Sequence, residues 1–191
     1  MRRLPFSAII AFSCICVPLL SFGQTPPSEA PQIVSLCEIL KDPKAFDGRT
    51  VQFRGAISSE FEDFTVYDAS CPSHYGSDVW LMFGGDVDCP TPSTANDVGR
   101  VPGTDVEFQG KKYSLVKDDE FRAFHKFITT RKNRKSVYQV TATLEGTFFA
   151  GRTEKVARGQ VSLPGYGHMG CCRLFIIHRV SEVSAQKKPT T

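Results

Sequence analysis

Residues 47–71, DGRTVQFRGAISSEFEDFTVYDASC, constrain the fold more than any other part of the chain. Asp47 and Gly48 are a turn signal. Val51, Phe53, Gly55 and Ile57 then alternate with Gln52, Arg54, Ala56 and Ser58. A period of two marks a strand with one buried face, because successive side chains point to opposite sides of a pleated backbone. Gly55, in the middle of that run, predicts the bend or bulge that a tightly coiled barrel needs. Glu60, Glu62 and Asp63 form an acidic reversal, FTVYD (64–68) is a second strand, and Cys71 and Pro72 end it. VWLMF (79–83) is the third strand. Strands this short, joined by such turns, predict an antiparallel sheet.

Upstream, IVSLCEIL (33–40) has apolar residues at 33, 36, 37 and 40. That spacing predicts a short helix that lays Leu36, Cys37 and Leu40 on the body, with Pro43 limiting its extension. Downstream, residues 84–103 are rich in Gly, Pro, Asp and Thr and read as a long loop, and 106–116 read as an extra hairpin. Asp118, Asp119 and Glu120 place negative charge where a helix begins. Phe121, Phe124, His125, Phe127 and Ile128 mark one face of that helix. The run RKNRK (131–135) is expected to close its far end, where positive charge complements the helix dipole, in preference to an anion or membrane-surface patch. Residues 137–150 are the fourth strand, with Val140, Ala142, Leu144, Gly146 and Phe148 on one parity. GYGHMG (165–170) is a loop, and CCRLFIIHRV (171–180) is the fifth strand.

Three meandering strands, a helix and two more strands is the order of an OB-fold barrel. The residues SLCEILKDPKAFDGRTVQFRGAISSEFEDFTVYDASC (35–71), followed by VWLMFGG, resemble small exported bacterial OB-like proteins of unknown function. They are also similar to the nucleic-acid-binding-like OB families, in which a helix and a segment (Y/F)-x-G-(K/R)-x-V-x-(F/V)-x-G open the barrel. Here that segment is FDGRTVQFRG (46–55). The resemblance implies a mainly β chain: a five-stranded OB-like barrel with a short N-terminal helix, a helix between strands three and four, and an extra hairpin insert. It carries over no catalytic residue.

The N-terminus reads as a secretory signal peptide. Met1, Arg2 and Arg3 precede a mostly apolar stretch, and Ser21 and Gly23 offer small residues before a cut at Gln24. The expected organisation is a signal peptide (1–23), a flexible linker (24–32), an OB-like domain (33–184, insert 84–117) and a disordered tail (185–191). No membrane span is expected after cleavage. Of the 191 residues 168 would remain, with 21 basic against 20 acidic, a balance of +1. That balance argues against strong nucleic-acid binding, which draws its affinity from phosphate neutralisation.

Seven cysteines become five on cleavage: Cys37, Cys71, Cys89, Cys171 and Cys172. In an exported chain they are expected as disulfides, with Cys71 bridged to Cys37, Cys171 or Cys172, and Cys89 as the odd thiol. A vicinal bridge between Cys171 and Cys172 is a further option. A second reading treats Cys71, His74, His168, Cys171 and Cys172 as a thiolate and imidazole site for zinc or copper at one end of the barrel. The favoured reading is a binding module without cofactor and without enzymatic activity. Asp68, Asp86 and Asp88 lack a matching acid or base at a defined spacing. The candidate ligand face lies on strands two and three, with Tyr67, Trp80 and Met82 pointing outward and Arg54 beside them, but the extra hairpin (106–116) is expected to cover it as a second small core in preference to leaving it open. Another envelope protein or an oligosaccharide is the expected partner.

Overall fold

The computed structural model describes residues 30–60, 63–72, 79–83, 105–132, 135–151, 165–167 and 170–189. Its core is a closed barrel of five strands: β2 (Thr50–Glu60), β3 (Asp63–Tyr67), β4 (Val79–Met82), β9 (Tyr138–Phe149) and β10 (Arg173–Lys187). The barrel runs β2-β3-β4-β10-β9 and closes by pairing β9 back onto β2. β4 and β10 run parallel and the other barrel neighbours antiparallel. This is the expected mainly β, OB-like architecture.

The period-two pattern does what it predicts. Val51, Phe53, Gly55 and Ile57 are buried, while Gln52, Arg54, Ala56 and Ser58 are not. Gly55 is a close approach: a Cβ there would collide with Cγ2 of Val66 on β3. Phe53 and Phe175 meet edge to face at 4.8 Å within the barrel. On β10 a bulge at His178 shifts the register, so the inward set changes from Phe175 and Ile177 to Val180.

A helix closes each end. α1 (Leu36–Lys41) starts one turn later than the apolar spacing predicts. Ser35 caps it: its hydroxyl accepts from Glu38 N–H, and the Glu38 carboxylate accepts from Ser35 N–H at 2.7 Å. The cap leaves Ile33 outside the helix, in the two-residue strand β1 (Gln32–Ile33), parallel to β2. The buried residues of α1 are therefore Leu36, Ile39 and Leu40, with Cys37 only partly covered. A 3₁₀ turn at Pro43–Phe46 leads into β2.

At the other end lies α2 (Asp119–Thr129), capped by Asp118, whose carboxylate accepts from Phe121 N–H at 2.9 Å. Phe121, Phe124 and Ile128 are buried, and Phe83 bridges Phe64 to Phe121 and Phe124. The run 131–135 does not extend this helix. The helix ends at Thr129, Thr130 is extended, and β7 (Arg131–Lys132) pairs antiparallel with β8 (Lys135–Ser136) in a small ribbon. The base in the last helical turn is Lys126 instead.

The C-terminus also differs from expectation. β10 continues to Lys187 and pairs with β9 through Lys187 opposite Tyr138, where a frayed tail was expected. Val183 and Ala185 pack on the core, and Lys188 forms an ion pair with Glu60 at 2.6 Å. The extra hairpin is present as β5 (Val106–Phe108) and β6 (Lys111–Tyr113). Among the described residues no helix is long and apolar enough to cross a membrane.

Candidate functional site

The expected ligand face divides into two parts with opposite fates. On β4 and β10, Trp80 stands opposite Leu174 and Met82 opposite Ile176, all on the parity that faces away from the barrel interior. Thr147 and Phe149 continue that face on β9. All six side chains are buried, with Trp80 only 3% exposed. A second apolar layer covers them. Phe108 packs on Phe149 at 4.7 Å and on Tyr166 at 5.8 Å, and Tyr113 on Phe149 at 6.1 Å. Gly167 lies against the Trp80 indole. Trp80 and Met82 are thus core residues of a second layer and not an open stacking platform.

In the β2 and β3 part Arg54, Ala56, Ser58 and Tyr67 reach the surface, whereas Thr65, beside Trp80, is buried. Ala56 faces Tyr67, and Ser58 faces Thr65. Tyr67 is half-buried and Arg54 is exposed, two residues along β2 from the partner of Tyr67. The Arg54 guanidinium reaches across β9 to the Glu182 carboxylate at 3.2 Å and donates to the Glu182 carbonyl at 3.1 Å. Thr143 donates its hydroxyl to the same carboxylate at 2.6 Å. Glu182 holds a left-handed backbone, φ 50°, beside the second register shift of β10. Both charged side chains remain well exposed, so the pair orients Arg54 more than it stabilises the fold, contributing at most about 1 kcal/mol. Asp63 accepts from both Ser58 and Thr65, which holds the β2–β3 reversal.

At the α1 end the cysteines are oxidised. Cys37 is bonded to Cys71, one of the three pairings expected for Cys71, and Cys171 to Cys172. The Cys37 and Cys71 sulfurs and an Asp68 oxygen lie within 4.8 Å of one another, the ligand spacing of a metal site. Sulfurs bonded to each other are not thiolates, and the thiolate is the form that ligates. The same holds for Cys171 and Cys172. The zinc or copper reading therefore loses its three thiolates in the oxidised chain, while His74 and His168 lie outside the described residues, as does Cys89. The start of β10 does lie at the end where β3 finishes, as expected: Val66, Val79 and Arg173 stand in one row.

One cluster escaped the sequence. His178, at the β10 bulge, stacks on Tyr113 at 5.7 Å, and its Nε2 lies 3.2 Å from Thr147 Oγ1. Lys111 Nζ sits 5.2 Å from the Tyr113 ring centre. Burial, and then the Lys111 charge, hold the His178 pKa below its ordinary value, while burial raises that of the Tyr113 phenol. Nothing in the spacing of KKY and IIH announces this meeting. It depends on where the hairpin folds back. Arg173, also buried, has its pKa lowered by desolvation.

No protein-family model, no curated protein and no solved structure matches this chain.

Proposed function

We propose that this chain is an exported binding module of the OB type, not an enzyme, and that it recognises an envelope protein through the outer face of β2 and β3. One observation carries the reading. Of the four candidate contact residues, Arg54 and Tyr67 remain at the surface, close together on paired strands of a closed barrel. A rigid barrel presenting one half-buried tyrosine and one oriented arginine fits a protein contact, where Tyr and Arg are favoured anchors. A polymer platform needs successive aromatic faces, and with Trp80 buried this face keeps only Tyr67. The near-neutral balance of the mature chain argues the same way against nucleic acid. Two disulfides among the described residues support export, because thiols are kept reduced in the cytosol.

Site-directed photo-crosslinking tests the reading in the producing cell. A photoreactive phenylalanine replacing Tyr67 should yield a discrete protein adduct that Arg54→Glu abolishes. The same group replacing Val116, exposed beyond β6, should yield none. Equal adducts from both positions, or none from residue 67, would overturn the assignment of this face.

A further inference from the structure

We propose that the Cys171–Cys172 disulfide is a reducible latch that holds the limb 165–167 over Trp80. A disulfide stabilises a fold chiefly by closing a loop in the unfolded chain, and the stabilisation grows with loop length. Cys37–Cys71 spans 34 residues and suits that role, whereas Cys171–Cys172 spans 1 and closes no loop. The vicinal bond lies at a point where other contacts converge. Cys172 exchanges two backbone hydrogen bonds with Tyr166: Tyr166 N–H to Cys172 O at 3.1 Å, and Cys172 N–H to Tyr166 O at 2.9 Å. Gly165 N–H donates to Gly170 O at 2.9 Å. The next residue along that limb is Gly167, whose backbone rests on the indole. Two residues beyond Cys172, Leu174 stands directly across from Trp80. A change in the backbone at 171 and 172 is thus transmitted both to the cover and to the strand beneath it.

The Cα atoms of the two cysteines are 3.7 Å apart, as chain neighbours must be, and this is closer than the usual range for disulfide partners. Cys172 is buried, whereas Cys171 is only partly covered. The step is a two-electron exchange with a dithiol. A thiolate of the dithiol attacks Sγ of Cys171, the Cys171–Cys172 bond breaks and a mixed disulfide forms. The second thiol then displaces Cys171, leaving two protein thiols and the oxidised dithiol. The freed backbone releases the Tyr166 bridge, and the limb lifts from Trp80. The device governs the covered face on β4 and β10 and is independent of the Arg54 and Tyr67 contact.

The chain has one tryptophan, so its fluorescence reports on this one site. The native protein is titrated with dithiothreitol, alkylated and mapped by mass spectrometry, with Trp80 emission and acrylamide quenching followed in parallel. The expected result is that Cys171–Cys172 opens while Cys37–Cys71 is intact. Emission then shifts to the red and quenching rises several-fold, and both reverse on reoxidation. The oxidised double variant Cys171→Ser with Cys172→Ser should show the high quenching without reductant, with far-UV dichroism confirming a folded barrel. Should that variant not fold, the titration of the native protein decides. A Trp80 that stays shielded after the vicinal bond opens would overturn the proposal. So would exposure that follows cleavage of Cys37–Cys71, or free thiols at 171 and 172 in the native protein.

Discussion

The backbone of Gly167 lies on the indole of Trp80, so close that a Cβ at residue 167 would stand 2.6 Å from Cε3. Gly167 also has φ +71°, a left-handed conformation that side chains rarely adopt. Gly167→Ala should therefore cost about 1–3 kcal/mol through overpacking and backbone strain together. Thermal unfolding would read the loss, and Trp80 emission should move to the red. Unchanged melting and emission would show that the limb does not cover the ring.

Gly55 tests the barrel interior in the same way. A Cβ there would collide with Val66, so Gly55→Val forces β2 and β3 apart. The expected cost is about 1–3 kcal/mol, read as a fall in the urea midpoint. An unchanged midpoint would mean that residue 55 does not face the interior.

The contrast between these two glycines shows what the sequence makes legible. Gly55 sits in a clean alternation, so its inward parity follows from period alone. The strand order, the two end helices and the extra hairpin follow from similar local signals. The cover over Trp80 is legible only in part: the hairpin 106–116 is one of the two sequence expectations for this face, whereas Tyr166 and Gly167 join it from a segment far away in the chain. One signal did point to it. VWLM on β4 and LFII on β10 are continuous apolar runs, which mark strands buried on both faces. That run favours the covered reading of Trp80 and Met82, the preferred of the two sequence expectations, over the open ligand face for which outward parity alone argues. The site was legible only in part for the same reason: Arg54 and Tyr67 are local to the hairpin, whereas Glu182 and His178 reach their places through bulges on β10.

Cys37–Cys71 should be the main covalent staple. For a span of 34 residues, loop-closure entropy gives about 4 kcal/mol. Replacing both cysteines by serine should lower the unfolding free energy by about that amount in denaturant titrations. A loss below about 1 kcal/mol would contradict the role.

His178 should make stability depend on pH in one direction. Burial, with Lys111 nearby, depresses its folded pKa below the unfolded value of about 6.5. The unfolded chain then binds the proton more readily, so the contribution is complete above about pH 6.5. It is lost as pH falls from there to the depressed value, and is flat below that. Urea unfolding of native protein and His178→Gln across pH 8 to 4 isolates the effect from the carboxylates. The native protein should lose more stability than the variant over the acidic half. Parallel curves, or a greater loss in the variant, would contradict it.

The outer face of β4 and β10 is sealed by a second apolar layer, which leaves Arg54 and Tyr67 as the exposed part of the candidate ligand face. Acrylamide and iodide quenching of Trp80 in the oxidised native protein measures that seal. Blue-shifted emission with little quenching by either agent is expected. Emission near that of a water-exposed indole, quenched freely by both, would contradict it.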